Sequence, residues 1–332
     1  MISFCQFGAG RIGAIHAGNV ARHPAARLLH VVDVDQAAAV QIARQHGALV
    51  STAEAALADP SVDAVLIASS TDTHAGLIEA AARAGKAVFC EKPIDLDSGR
   101  VEACLAVVKA TGITLMVGFN RRFDPNFAKL REQLRGGRIG RLEMLAITSR
   151  DPGPPPLSYI KVSGGLFRDM MIHDLDMARW LLGEEPVEIF AAASCLVDPA
   201  IGAAGDVDSA LVTLKTASGA LCQISNSRRA SYGYDQRIEA HGAKGMLRAG
   251  NLVESTLEYS GSDGIVGEKP LHFFLERYAA AYRSELDAFI EAVAGRTAPP
   301  TSGEDGLRAL ILADAAVESV KSGRAVAVRY SS

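Results

Sequence analysis

Short apolar runs alternate with longer stretches of helical spacing through the first 119 residues. "ISFCQF" reads as a strand, and "RIGAIHAGNVARH" as a helix stopped by Pro24. "LLHVVDV" reads as a second strand, followed by the helix "QAAAVQIARQH" closed by Gly47. "VDAVLIAS" is a third strand. Thr71, Asp72 and Thr73 then offer caps to a helix running to about residue 84, with Gly85 just beyond it. "KAVFCE" and "ITLMVGF" are two more strands, joined by a helix from about residue 98 to 110. Continuous apolar strands alternating with helices predict a parallel sheet covered on both faces.

The pattern changes near Asn120. A helix is expected over about 124 to 135, ending at Gly136-Gly137, and longer alternating strands follow it. These include "RLEMLAITSR" and the pair "SALVTLKT" and "ALCQISNS" joined by Ala-Ser-Gly. Period-two alternation predicts a mainly antiparallel open sheet, with one face on helices and one left over. Two amphipathic helices are expected near 274–294 and 304–322. The fold class is therefore α/β: a doubly wound nucleotide domain over 1–119, then an α+β domain over 120–332 for substrate binding and oligomerisation. "DPGPPP" (151–156) reads as a rigid loop.

Composition narrows the classes of function. The chain is 48% hydrophobic and 22% charged, ordinary for a globular enzyme, and its net charge of −4 comes with scattered lysines and arginines. No one-sided basic surface for nucleic acid is expected. Five cysteines stand far apart without a C-x-x-C pair, so neither a disulfide framework nor a structural zinc site is expected. The first residues enter a strand at once, and no apolar run approaches the ~18 residues of a membrane span. A cytoplasmic protein is expected.

"GAGRIG" sets Gly8, Gly10 and Gly13 in G-x-G-x-x-G spacing between the first strand and its helix. In that setting the first glycine turns, the second admits a pyrophosphate, and the third lets helix and strand meet. Asp33 lies 20 residues after Gly13, at the expected end of the second strand. A carboxylate there accepts ribose hydroxyls and repels a 2′-phosphate, and Val34 supplies no arginine, so NAD is preferred over NADP.

"CEKP" (90–93) ends a parallel strand, which would aim the Lys92 ammonium into the ligand crevice; a surface lysine is the plainer reading. "GGLFRDMMIHDLD" (164–176) puts Asp169 and His173 four residues apart on one expected helical face. A carboxylate beside an imidazole suits a group that takes a proton. A capping or core-satisfying pair is the alternative, and a metal reading of "HDLD" lacks further His or Cys ligands. Asp174 and Asp176 fall on other faces, where solvated helix surface is expected.

These motifs resemble the Gfo/Idh/MocA family of NAD(P)-dependent sugar and polyol oxidoreductases over nearly the whole length. The carriers are "GAGRIG", "EKP" after the fourth expected strand, "GFNRRFDPNF", and "GG-x₃-D-x₃-H-D-x-D". "SRDPGPPP" and "YGYDQRIEAHGAKG" look most like the inositol 2-dehydrogenases of that family. The resemblance implies His173 as catalytic base, Asp169 as its partner and a substrate contact, and Lys92 on the reacting hydroxyl, with a cis Lys92–Pro93 peptide. It implies a cofactor set of Gly8, Gly10, Arg11, Ile12, Gly13, Asp33, Ser69, Ser70, Thr71, His74, Glu91, Lys92 and Arg121. Arg121 would line the junction between cofactor and substrate, and Asp151 and Tyr234 would contact ring hydroxyls. Ser149 departs from the larger polar residue common in related polyol enzymes. The implied reaction oxidises a secondary ring alcohol, with myo-inositol expected first and scyllo-inositol or an aldopyranose as rivals. A non-catalytic NAD-binding regulator is the alternative from another class. No metal is expected, and a homotetramer is implied through the sheet face left over in 207–240.

Overall fold

A computed structural model describes residues 1–330. The described residues form two compact units, 1–120 with 282–310 and 121–281 with 311–330. The crossing into the second unit lies one residue from the expected boundary. The return of 282–310 to the first unit departs from an uninterrupted second domain. Its cause is aromatic packing: Phe289 meets Phe4 at 6.0 Å and Phe89 at 5.7 Å between ring centroids, and all three are buried.

In the first unit the elements run β1 (Ile2–Phe7), α1 (Arg11–Arg22), β2 (Ala26–Val32), α2 (Gln36–His46), β3 (Leu49–Val50), α3 (Ala53–Ala58) and β4 (Ala64–Ile67). They continue with α4 (Thr71–Arg83), β5 (Ala87–Glu91), α5 (Ser98–Thr111) and β6 (Leu115–Gly118). The six strands are all parallel in the order β3-β2-β1-β4-β5-β6. That order reverses between β1 and β4, the switch point at which doubly wound sheets bind ligands. β4 and β6 are buried throughout, as continuous apolar strands require.

Asp35, Thr52 and Asp97 cap α2, α3 and α5 through their side chains, and Gly47 and Gly112 close α2 and α5 in the left-handed conformation. The expectation for α4 is corrected: its N-cap is Ser70, without a side-chain cap bond, and Thr71–Asp72–Thr73 form the first turn. "EKP" follows the fifth strand rather than the fourth. The extra strand, β3, is two exposed residues long and carries no periodic signal.

The second unit carries α6 (Pro125–Arg135), β7 (Leu142–Arg150), α7 (Leu157–Ile160), a π-helical turn (Leu166–Met171) and α8 (Ile172–Leu182). Next come β8 (Pro186–Ser194), α9 (Pro199–Ala203), β9 (Ser209–Thr216), β10 (Leu221–Ser227), β11 (Asp235–Gly242) and β12 (Gly245–Ala249). The hairpin β13 (Glu258–Gly261) and β14 (Gly264–Gly267) precedes α10 (Phe274–Arg277); α11 (Ala279–Val293) then runs into the first unit from residue 282, and α12 (Gly303–Ser322) leaves it after residue 310, before β15 (Val326–Ala327). The main sheet has the order β12-β11-β7-β10-β9-β8-β15, with β7 and β10 parallel and its other pairs antiparallel. β9 and β10 form the hairpin expected around Ala-Ser-Gly.

The helix expected over 274–294 breaks at Tyr278, whose buried ring takes the Arg277 and Arg121 guanidiniums at 4.9 and 5.8 Å. Along β9 buried and exposed residues alternate, leaving Leu211, Thr213 and Lys215 outward. No helix of the described residues is long and apolar enough to cross a membrane.

Candidate functional site

The glycine loop in the first unit shows why each glycine stands where it does. Gly8 has φ +101°, and a Cβ there would meet Ala68 O at 2.3 Å; a Cβ on Gly13 would meet Gly8 O at 2.2 Å. Around Gly10 a Cβ would meet nothing within 4 Å. Two glycines therefore serve close packing, and the third leaves open space on the outer side of the loop. Gly10 is also the N-cap of α1, with no side-chain cap and no acidic residue in the first turn. Those helix N–H groups remain available to an anion, which fits a dinucleotide diphosphate. Arg11 is exposed and Ile12 half-buried in the first turn.

Asp33 follows β2 and braces this loop, accepting from the Ala9 amide at 2.5 Å and the Asp35 amide at 2.7 Å. A carboxylate has about four lone-pair sites, so acceptor capacity remains for ribose hydroxyls. Val34 beside it is fully exposed. After β4, Ser69 Oγ and Thr73 Oγ1 lie 2.7 Å apart, and Ser70 and Thr71 open α4.

His74 is buried, and its ring nitrogens face Pro93 O at 2.8 Å and Ser69 O at 3.1 Å, so the ring braces the "EKP" turn. The Lys92–Pro93 peptide is cis, as the resemblance implied. Lys92 is half-buried, and Glu91 before it takes His16 Nε2 at 2.7 Å.

In the second unit the stretch 164–176 holds one π turn leading into α8, rather than a regular helix. Asp169 lies in the π turn and His173 in the first α turn. Leu166, Met170, Met171 and Leu175 are buried, whereas Asp169 and His173 keep partial exposure. Asp169 Oδ1 accepts from the Tyr159 hydroxyl at 2.9 Å, and Asp169 Oδ2 lies 3.9 Å from Arg228 Nη1. Arg228 is almost fully buried and also faces Asp206 Oδ2 at 3.6 Å. Asp151, just after β7, is pushed up to about 7 by burial, against the pull of the Arg228 and Arg121 charges.

Asp174 and Asp176 overturn the expectation of solvated surface, since both are buried. Asp174 pairs with Arg121 and accepts from Asn226 Nδ2 at 2.9 Å. Asp176 takes Arg122 in two bonds of 2.8 and 2.5 Å. The "NRR" and "DLD" segments thus lock together. Arg121 also donates to Ser149 Oγ at 3.2 Å, which Gln236 Nε2 reaches at 2.9 Å. Ser149 is fully buried in this network, and Arg121 is a buried ion-pair member. Tyr234 is buried edge-on to Tyr278 at 6.0 Å, and burial pushes its phenol well up.

The sequence reading missed Tyr159, Asp206, Arg228, Asn226 and Gln236 as site neighbours. The paired arginines before "YGYD" were the only visible signal. All five cysteines are free thiols, Cys5, Cys90, Cys104 and Cys222 buried and Cys195 half-buried.

Comparison with known proteins follows this geometry. Residues 2–119 match the domain described as "Oxidoreductase family, NAD-binding Rossmann fold", and 127–248 match the "GFO/IDH/MocA C-terminal domain". The chain is 56% identical over 328 residues to an inositol 2-dehydrogenase of Rhizobium meliloti, covering 98% of this chain and 99% of that one. A myo-inositol dehydrogenase structure from Corynebacterium glutamicum superposes with TM-score 0.95 at 41% identity, covering 100% of each chain. A scyllo-inositol dehydrogenase from Lactobacillus casei, solved with NAD(H) and scyllo-inositol, gives 0.91 at 30% identity, covering 98% of this chain and 99% of that one.

Proposed function

We propose, from the premise that the chain belongs to the GFO/IDH/MocA oxidoreductase family, that it oxidises a secondary ring hydroxyl of a cyclic polyol to a ketone. Myo-inositol is the first substrate, giving 2-keto-myo-inositol; scyllo-inositol and glucose-type aldopyranoses are the rivals to test. When bound, NAD supplies the acceptor for the hydride that leaves the carbinol carbon. His173 takes the hydroxyl proton on its imidazole as the carbon–oxygen double bond forms. The Lys92 ammonium stabilises the negative charge developing on that oxygen, and Asp169 orients the base and a neighbouring hydroxyl. Asp151 and Tyr234 are assigned to the remaining ring hydroxyls.

The observation that carries this reading is the partial exposure of Asp169 and His173 beside the buried Leu166, Phe167, Met170, Met171 and Ile172. A carboxyl and an imidazole at the edge of a packed core are placed to meet a ligand. The outward sheet face supports self-association as a homotetramer: Met144, Phe190, Leu211, Leu221 and Met246 are each 41–53% exposed there. A cytoplasmic location in polyol breakdown belongs to the same proposal.

The test is NADH appearance with NAD and a panel of myo-inositol, scyllo-inositol and glucose. His173→Ala should lower kcat by ~10²–10⁴ while NAD still binds. Lys92→Ala should lose both rate and substrate affinity. No turnover across the panel, or full activity in both variants, removes the proposal.

A further inference from the structure

Glu285 on α11 is fully buried, and neither of its carboxyl oxygens has a hydrogen-bond partner among the described residues. Its carboxyl, Glu91 and His16 offer oxygen and nitrogen atoms that all lie within 4.8 Å of one another. The three come from α11, β5 and α1 of the first unit. The rings of Phe89 and Tyr282 stand against His16 at 5.2 and 5.6 Å, so the cluster is walled by apolar surface. Across β6, a Cβ on Gly118 would meet Glu91 Oε2 at 3.1 Å. The titratable groups facing Glu285 are thus Glu91 and His16, with Tyr282 one turn away on its own helix.

Glu91 Oε1 and His16 Nε2 share a hydrogen bond of 2.7 Å. A second charged carboxylate so close in an apolar setting would be strongly disfavoured. Glu285 therefore keeps its proton, and burial together with the Glu91 charge pushes its carboxyl well above the usual range.

We propose that Glu285 is a positioning residue: buried against the Glu91 side chain, it fixes with His16 that side chain and so the strand end that presents Lys92. The assignment rests on the reading of Lys92 given above. Glu91 sits at the end of β5, one peptide from Lys92; its side chain is bonded by His16 from α1 and packed within 4.8 Å of the Glu285 carboxyl from α11, which restricts where that peptide can go. His16 and Glu285 would then reach the reaction only through Glu91.

The test compares the wild type with Glu285→Gln, a neutral isostere, and Glu285→Ala, in the full-length protein. The folded wild type holds a proton that the unfolded chain releases above the usual glutamate range. Its stability therefore falls as pH rises from about 5, until the folded group titrates. Glu285→Gln should abolish that slope while keeping kcat within about twofold. Glu285→Ala should lower kcat by roughly tenfold, as small displacements of a reacting group do.

Matching pH slopes in wild type and Glu285→Gln would overturn the proposal. Equal loss of kcat in both variants would also overturn it, because charge rather than shape would then matter. So would one tightly held divalent metal per wild-type chain, absent from Glu285→Gln, since the carboxylate would then be a ligand. If Glu285→Ala does not fold, the Glu285→Gln slope still decides. Normal turnover in Lys92→Ala would defeat the functional reading instead, and it leaves the pH slope untouched.

Discussion

Arg228 Nη1 lies 3.9 Å from Asp169 Oδ2, and the guanidinium that makes this contact is 1% exposed. A buried arginine between Asp169 and Asp206 balances two carboxylates that water does not fully solvate. The tilt of Asp169 is further set by the Tyr159 hydroxyl. The candidate acid is thus held by groups from α7 and from the segment after β10, not by its own helix.

Arg228→Leu should cost about 3 kcal/mol of unfolding free energy, the low end for breaking a buried pair because both contacts exceed hydrogen-bond length. kcat/KM should fall with it, since Asp169 loses its anchor. Urea unfolding and steady-state kinetics on the same preparation check this. Wild-type stability in the variant would show that solvent already screens the pair.

Asp151 makes a pH-dependent prediction. Its carboxyl is pushed up to about 7, first by burial, with Arg228 the largest opposing influence. The folded group binds its proton more tightly than the unfolded one, so its stabilising contribution is complete below about pH 4 and is lost as pH rises through about 7. Asp151→Asn is neutral throughout and escapes that loss. Between pH 5 and 8 it should gain roughly 2 kcal/mol on the wild type, with part of the shift discounted for solvent access. In Arg228→Leu the wild-type midpoint should move higher still, because the largest attraction for the charged form is gone. Unfolding curves at the two pH values decide, and parallel behaviour of wild type and Asp151→Asn would exclude a raised carboxyl.

Much of the fold was legible because its signals are local. Gly8, Gly10 and Gly13 follow a strand and open a helix, and the β9–β10 hairpin announces itself by alternation around Ala-Ser-Gly. β3 and β15 were illegible because two residues carry no period; they exist by pairing with β2 and β8. The site divides the same way. Asp169 and His173 stood out as polar groups in an apolar run. Asp174 and Asp176 looked solvated because the arginines that bury them lie more than 50 residues upstream. Glu285 reads as one more acid on an amphipathic helix, and only the fold brings it to His16 and Glu91. The π turn had no signal either, since helical spacing alone does not mark where an extra residue enters a turn.

Asp33 carries the last prediction. Its carboxylate both holds the Ala9 amide and, on the NAD reading, accepts the ribose hydroxyls while repelling a 2′-phosphate. Asp33→Ala removes all three effects together. Preference should shift toward NADP by ~2–4 kcal/mol, yet kcat/KM should fall with both cofactors because the loop loses its brace. Asp33→Asn separates the terms: its amide oxygen can still accept from Ala9, while the charge facing the phosphate is gone. NADP use should then rise in absolute terms, and Val34→Arg on that background should raise it further, since a guanidinium pairs with phosphate and position 34 is open to solvent. The measurement is kcat/KM for NAD and NADP in the wild type, both single variants and the double variant. A wild type that already prefers NADP would remove Asp33 as the discriminating residue, and an Asp33→Asn variant as damaged as Asp33→Ala would show that the loop depends on charge rather than on one accepted hydrogen bond.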